Sequence, residues 1–441
     1  MAAPAKILII GGGFTGLTAA LRLAQAGNCD ITVIESSDRL GGLAAGFPLE
    51  GTWLEQTYHH LFLSDHAILK LVAELGLQSN LIWCNSSVGI FRDGKLHPFK
   101  TPMDLLRYKP CSFPGRLRTG LTAFYLQHRR DWRGLLPHGA HDWMARACGP
   151  SAMDTLWTPM LKGKFGDKYS LVSMAWLWSR LHMRTNSRQA GGEKLGYFCG
   201  GFNVVVAALE AELRRRGVNL QTRALVEKLS PDRRTATIAG QETPYDRCIF
   251  TGSSGALAAL LPADDHLQDY ARKLRGIGYL GAICLIFTSD QNLGDIYWTN
   301  VNEPGAPFLV FIQHTNLVTP DFYRGKHVYY IGAYLPPEGR MFAMSDDELR
   351  ALWLGYLPKM FPQFDAKRIG EQFLFRFRAA QHIVDTQYEE KIPDYQTPLP
   401  GVYLANFSQI FPEDRGTNFA VREGEKVAEL VRRGLAAGAG A

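Results

Sequence analysis

The sequence predicts an α/β fold: a Rossmann-like dinucleotide-binding unit at the start, a mixed-sheet substrate domain in the later half, and a helical insertion between them. Three observations predict it. A strand, a glycine turn, a helix and a second strand follow one another between Lys6 and Gly42. Residues from about 270 to 395 alternate as strands, and the stretch between the two regions is basic, aromatic and helical in its apolar spacing.

Ile7, Leu8, Ile9 and Ile10 form an unbroken apolar run, the pattern of a strand buried on both faces of a parallel sheet. Gly11, Gly13 and Gly16 follow with G-x-G-x-x-G spacing. The first permits a tight turn, the second lets backbone approach a pyrophosphate, and the third allows helix and strand to pack closely. The next helix carries Leu17, Ala20, Leu21 and Ala24 on one face and aims its N-terminal amides at phosphates, with Gly27 as its C-cap. A strand from Ile31 to Ile34 ends at Glu35, where a carboxylate can accept both hydroxyl hydrogens of a ribose. That acid disfavours a 2′-phosphate, so the dinucleotide is FAD or NAD rather than NADP.

Arg39, Gly41 and Gly42 make a second glycine-bearing loop directly after the acid. This loop resembles the R-x-G-G motif of the flavoprotein family that includes amine oxidases, protoporphyrinogen oxidase, phytoene desaturases and UDP-galactopyranose mutase. The resemblance implies FAD, with the loop reaching the pyrophosphate and the flavin. Cofactor contacts are accordingly expected from Gly11, Gly13, Phe14, Thr15, Gly16, Glu35, Ser36, Arg39, Gly41, Gly42 and Leu43.

At 441 residues the chain suits two intimately connected domains. The net charge of +6 is mild and the arginine clusters are scattered, which argues against a nucleic-acid binder. Seven isolated cysteines, an odd number with no C-x-x-C pair, suggest neither a zinc site nor a disulfide framework, and no metal is expected. No signal-peptide pattern precedes the first strand and no apolar run approaches a membrane span, so a cytoplasmic protein with peripheral membrane contact is expected.

His59 and His60 lie in an irregular aromatic stretch before a helix bearing Ile68, Leu71, Val72 and Leu75, which Gly76 closes. His60-x-Phe62 resembles the H-x-F element near the flavin of UDP-galactopyranose mutases, which makes His60 the candidate catalytic residue, able to shuttle a proton near neutral pH. Phe91 to Leu96 reads as a hairpin turning at Asp93-Gly94. From Lys95 to Arg133 there are nine Lys or Arg against two acids, interleaved with Leu105, Leu106, Tyr108, Phe113, Leu117, Leu121, Phe124, Tyr125 and Trp132. Such a surface either lies on an anionic bilayer or is a solvated helical insertion over the core. The resemblance favours the bilayer, because desaturases and protoporphyrinogen oxidases use this part of the chain to sit on membranes and admit apolar substrates.

Helical spacing assigns Trp176 and Trp178 to the core. Arg180 and Arg184, four apart, share a helix face and with Lys162 and Lys164 could hold a phosphate or pyrophosphate. The chain then returns to the nucleotide domain through Gly200-Gly201, a helix from Asn203 and strands between Val218 and Leu229. This order is similar to the middle FAD-domain segment of the family, in which a strand residue at the position of Val226 supports the adenine through its backbone. Strands are expected at Ala282 to Phe287, Ile296 to Thr299, Phe308 to Ile312, Val328 to Ala333 and Gln372 to Phe377, with a helix around Asp346 to Met360. Tyr330, Tyr334, Arg376 and Arg378 are candidate pocket residues on that sheet, with Tyr330 and Arg376 foremost.

A closing strand, Gly401 to Asn406, leads through Glu413-Asp414-Arg415 to Gly416, Thr417 and Asn418 and a final helix. The start of that helix presents free amides and a positive dipole end, suited to negative charge on a reduced flavin. The arrangement resembles the family's C-terminal flavin motif, with Asn406-Phe407 where Gly-Asp is usual and Glu423 where a small residue is usual. Asn406, Gly416, Thr417 and Asn418 are therefore expected at the flavin. No cysteine follows Cys284, so the FAD is expected to be non-covalent.

The family pattern implies a discontinuous Rossmann-like FAD-binding domain of residues 1–60, 195–260 and 395–434. It leaves residues 61–194 and 261–394 to the substrate domain, with the insertion at 95–190 and an Ala/Gly tail from Leu435 read as disordered. The leading functional expectation is an FAD-dependent oxidoreductase of the desaturase or dehydrogenase type, moving a hydride between an isoprenoid-like or polycyclic substrate and flavin N5. The alternatives are a flavin-dependent isomerase of the mutase type acting on a nucleotide sugar or other diphosphate, and a flavin-binding subunit with little turnover.

Overall fold

The structure is a computed structural model that describes residues 3–186, 188–189, 192–262 and 265–438. Its first sheet is entirely parallel and runs in the order Asn219–Gln221, Cys29–Ile34, Ala5–Ile10, Arg247–Phe250, Val402–Leu404. These strands come from widely separated parts of the chain, and helices cover the sheet, so the apolar run Ile7–Ile10 is buried on both sides.

The helix Phe14–Ala26 lies against the closing helix Thr417–Gly438. Gly424 makes the approach possible, because a Cβ there would stand 2.5 Å from the Thr15 carbonyl oxygen. The neighbouring Glu423 is buried, and it accepts hydrogen bonds from Tyr395 and from Arg422 Nε. A large acid is therefore accommodated where a small residue is usual. This helix continues through Gly438, and Leu435 packs on the core, so residues 435–438 are helical where the Ala/Gly composition suggested a tail. Apolar contact at Leu435 and the helix propensity of alanine explain the extension.

A mixed seven-stranded sheet forms the second layer, in the order Ile369–His382, Tyr279–Ser289, His327–Leu335, Val310–Gln313, Trp298–Val301, Val88–Arg92, Lys95–Pro98. Only Trp298–Val301 and Val88–Arg92 pair in parallel. The hairpin between the last two strands turns at Asp93 and Gly94, both with positive φ (53° and 67°), as a tight two-residue turn requires. Strand alternation divides the sheet into two faces. Ile283, Leu285, Phe287, Tyr329 and Ile331 pack under the helix Asp346–Leu354, whereas Cys284, Ile286 and Tyr330 face the nucleotide layer.

The insertion is a helical layer with its own core, in which Leu126, Met144, Trp157, Phe165 and Trp176 are buried together. The helices Thr158–Phe165 and Met174–Asn186 carry its basic residues towards the substrate sheet.

Candidate functional site

Two glycine loops meet at the end of the parallel sheet. Gly41 N–H donates to the Gly12 carbonyl at 2.8 Å, and Gly13 and Gly41 form a parallel bridge. Gly11 has φ of 113°, and a Cβ on it would lie 2.2 Å from Thr251 Oγ1. A Cβ on Gly16 would lie 2.0 Å from the Gly11 carbonyl oxygen, so this residue acts by letting helix and turn pack, beneath the cavity wall. Glu35 accepts from the Gly12 and Ser37 amides, each at 2.8 Å, which fixes its carboxylate at the strand end.

The space above these loops is a cavity of about 680 Å³. Gly11, Gly13, Phe14, Thr15, Glu35, Ser36, Arg39, Gly41, Gly42, Leu43, Val226, Asn406, Gly416 and Thr417 all line it. The size, the glycine cradle and the helix N-terminus at Phe14 fit an extended dinucleotide. Arg39 donates to the Gly46 carbonyl at 2.9 Å and pairs with Asp38, so it braces the second loop. Asn406 lines the cavity, but its Nδ2 donates to the Gly252 carbonyl at 2.8 Å and its Oδ1 accepts from Ser408 N–H at 2.9 Å. Asn418 lines the adjoining chamber, and its Oδ1 accepts from the Ala67 and Ile68 amides at the start of the helix His66–Glu74.

A second chamber, of about 230 Å³, opens from the first. Leu43, His59, Arg415, Gly416 and Thr417 border both spaces, so the junction falls at the start of the closing helix. The outer walls are largely apolar and aromatic, with Tyr58, Phe62, Trp298, Leu309 and Val310 among them.

One end of this chamber is charged. Asp414 accepts from Lys164 Nζ at 3.0 Å and from Arg180 Nη1, and Arg415 Nη2 donates to Tyr334 OH at 2.8 Å. Burial alone would raise the Asp414 carboxyl, but Lys164, Arg180 and Arg415 together hold it well below the usual carboxylate range. Burial lowers Lys164 in turn, against the pull of Asp414. Burial would raise the Tyr334 phenol, but Arg415 and Lys164 bring it below its ordinary value.

His60 lines the chamber, with Nδ1 3.3 Å from Tyr297 OH and its ring edge-on to Phe62. His59 stands at the junction, pushed down to about 4 by burial. Its Nδ1 lies 2.8 Å from the Thr57 carbonyl, which only accepts. The neutral ring therefore carries its proton on Nδ1 and leaves Nε2 as an acceptor.

Of the basic residues expected at the substrate, Lys164 and Arg180 line the chamber. Lys162 does not: it is exposed, over the Tyr169 ring, because residues two apart on a helix point away from one another. Arg184 has its side chain outside the described residues. Tyr330 is fully buried, its OH donating to the Glu55 carbonyl at 3.1 Å, so it belongs to the core rather than the pocket. Arg376 pairs with Asp346 at 2.5 Å and donates to the Met344 carbonyl, away from the chamber. Arg378 is exposed. Asp414, Arg415, Tyr58 and His59 complete the site without having been singled out as substrate residues. Their only sequence signal is position, beside Gly416 or beside His60.

A glycine-cradled cavity that fits a dinucleotide thus opens onto a largely apolar chamber, the arrangement of a dinucleotide-dependent enzyme. The chain belongs to the flavin-containing amine oxidoreductase family, whose pattern matches residues 14–432. It is an FAD-dependent oxidoreductase. Among curated relatives, it is 23% identical over 434 residues to a 15-cis-phytoene desaturase of Narcissus pseudonarcissus, covering 91% of this chain and 74% of that one. It is 24% identical over 282 residues to a coproporphyrinogen III oxidase of Staphylococcus aureus, covering 56% of this chain and 60% of that one. The match to the corresponding Propionibacterium freudenreichii enzyme, 32% identical over 126 residues, covers 26% of this chain and 24% of that protein. Among solved structures, cyclohexylamine oxidase from Brevibacterium oxydans shares the fold with a TM-score of 0.76 at 16% identity, covering 98% of this chain and 99% of that one. Reduced UDP-galactopyranose mutase does so with a TM-score of 0.76 at 16% identity, covering 97% and 95%.

Proposed function

We propose that this protein removes a hydride from a carbon of a hydrophobic, isoprenoid-like or polycyclic substrate, as a desaturase or dehydrogenase. The observation that carries the reading is the aromatic and aliphatic chamber opening onto the nucleotide cavity at Gly416 and Thr417. When bound, FAD supplies the hydride acceptor at its N5. Phe62, Trp298, Leu309 and Val310 hold the apolar body of the substrate and exclude water from it. The amides and dipole at the start of the helix Thr417–Gly438 stabilise the negative charge that arrives with the hydride. His60 is the candidate acceptor for the proton that leaves with it.

The reading includes a cytoplasmic protein resting on a membrane surface. No helix among the described residues is long and apolar enough to cross a membrane. The helix Phe113–His128 nonetheless buries Gly115, Thr119, Thr122 and Leu126, while Phe113, Leu117, Leu121, Phe124 and Tyr125 form an outward apolar stripe. Leu121 and Phe124 are each 62% exposed. With Arg107, Lys109, Arg116, Arg129 and Arg130 nearby in the chain, the stripe suits the interface of an anionic bilayer and gives apolar substrates a source.

An anaerobic absorbance titration with isoprenoid lipids, porphyrinogens, amines and nucleotide sugars tests the reading. Bleaching of the flavin by an apolar substrate is expected; bleaching by none of them overturns it. Lys164 and Arg180 also support the second reading, an isomerase acting on a nucleotide sugar. Flavin perturbed by a nucleotide sugar and bleached only by dithionite would favour it. A flavin that no organic compound perturbs or bleaches would mark a binding subunit.

A further inference from the structure

Apolar walls do not explain the charged end of the chamber. Lys164, Arg180 and Arg415 line it with Asp414 as their shared counter-charge, and Asp65, the other acid on the wall, is hydrogen-bonded to the Phe62 amide at 2.8 Å. Three cations against two acids leave a positive surplus even with Asp65 ionised. A surplus charge on side chains this enclosed is costly unless a ligand answers it.

The hydrogen-bonding inventory points the same way. Trp176, 1% exposed and on the chamber wall, has an indole Nε1 with no partner among the described residues, and Arg415 Nε is likewise buried without one. Arg180 lies over the Trp176 ring at 5.7 Å. Lys, Arg and Trp side chains are donors only, and although Asp414 Oδ1 is also buried without a partner, the donors outnumber it, so the cluster answers an acceptor-rich anion better than an ammonium group. An ammonium would also meet like charge at the same place.

Resting on the oxidoreductase reading above, we propose that the substrate is an amphiphilic acid. A carboxylate or phosphate-monoester oxyanion docks on Lys164, Arg180, Arg415 and Trp176, and the apolar portion lies along Trp298 and the other apolar walls of the chamber. The chamber is too small for a long substrate, so the anion anchors one end while the rest reaches outward. Asp414 is a positioning residue that holds Lys164 and Arg180 together.

The test is a flavin-absorbance titration of the purified holoenzyme with decanoate, decyl phosphate, decanol and decylamine at matched ionic strength. One or both anions are expected to bind at least about tenfold more tightly than decanol, and decylamine least; the two anion arms separate carboxylate from phosphate recognition. Arg180→Gln and Lys164→Met are expected to weaken the anion by about tenfold and leave decanol unchanged. Decanol or decylamine binding as tightly as both anions, or Arg180→Gln without effect, overturns the proposal. Bleaching by uncharged apolar substrates with no charge preference would overturn the anion site and leave the oxidoreductase reading intact. A clear anion preference in a flavin that no apolar compound reduces would overturn hydride removal instead.

Discussion

Lys164 Nζ lies 3.0 Å from a carboxylate oxygen of Asp414, although 250 residues separate them. The contact ties the helical insertion to the loop that begins the closing helix, and Arg180 reaches the same carboxylate. The chamber's charged end thus depends on the insertion and the nucleotide domain being docked together.

Removing Asp414 leaves two enclosed cations without their shared partner. Asp414→Ala is expected to destabilise the protein by about 3–5 kcal/mol, the range for breaking one side of a buried pair. Denaturant unfolding of the purified variant measures this, and a loss below about 1 kcal/mol would mean solvent answers the cations instead.

Glu55 gives the stability a pH dependence. It is fully buried and accepts from Tyr197 OH at 2.7 Å and from the Phe202 amide, and burial raises its carboxyl from 4.5 to about 7 against those hydrogen bonds. Below pH 4.5 the folded and unfolded states are both protonated. Between pH 4.5 and about 7 the unfolded chain has released the proton while the folded chain keeps it, so stability falls as pH rises, by roughly 3 kcal/mol in all. Glu55→Gln keeps the shape without the proton. It is expected to remove that slope, so that its melting temperature relative to the parent is higher at pH 8 than at pH 4.

Gly16→Ala places a methyl group 2.0 Å from the Gly11 carbonyl oxygen. Either the turn or the helix must move, at a cost of about 1–3 kcal/mol, and the cradle moves with it. Lower flavin content per chain together with a lower melting temperature is the expected result of purifying this variant. Full flavin content would show that the turn tolerates the shift.

The outward stripe has a separable effect. Leu121→Ser with Phe124→Ser removes two side chains that are each 62% exposed, so the melting temperature is expected to stay within about 2–4 °C of the parent. Co-sedimentation with vesicles containing anionic lipid is expected to fall sharply, and binding by the parent to weaken with salt. Equal sedimentation of parent and variant would remove the stripe from the account.

Much of this architecture is local chemistry and so was legible in the sequence. The run Ile7–Ile10, the glycine spacing, the Asp93-Gly94 turn and the strands of the mixed sheet each follow from a few adjacent residues. The charged end of the chamber was not, because Asp414 gains its role from residues more than two hundred positions away. Face assignment was the other limit. Tyr330 and Tyr334 share a strand parity, yet one is fixed in the core by Glu55 and the other reaches Arg415. Lys162 and Lys164 read alike as charges, and only helix geometry turns one outward and the other inward. Composition likewise announced a basic, apolar insertion, but not that its helix Phe113–His128 turns five large apolar side chains outward.

The most direct test of hydride removal is to mix the anaerobic holoenzyme with an apolar acid that bleaches its flavin and to weigh the recovered compound by mass spectrometry. The account requires the compound to have lost a pair of hydrogens, in amount matching the flavin reduced. A compound recovered with unchanged mass while the flavin returns to its starting spectrum would contradict it, and would make the protein an isomerase.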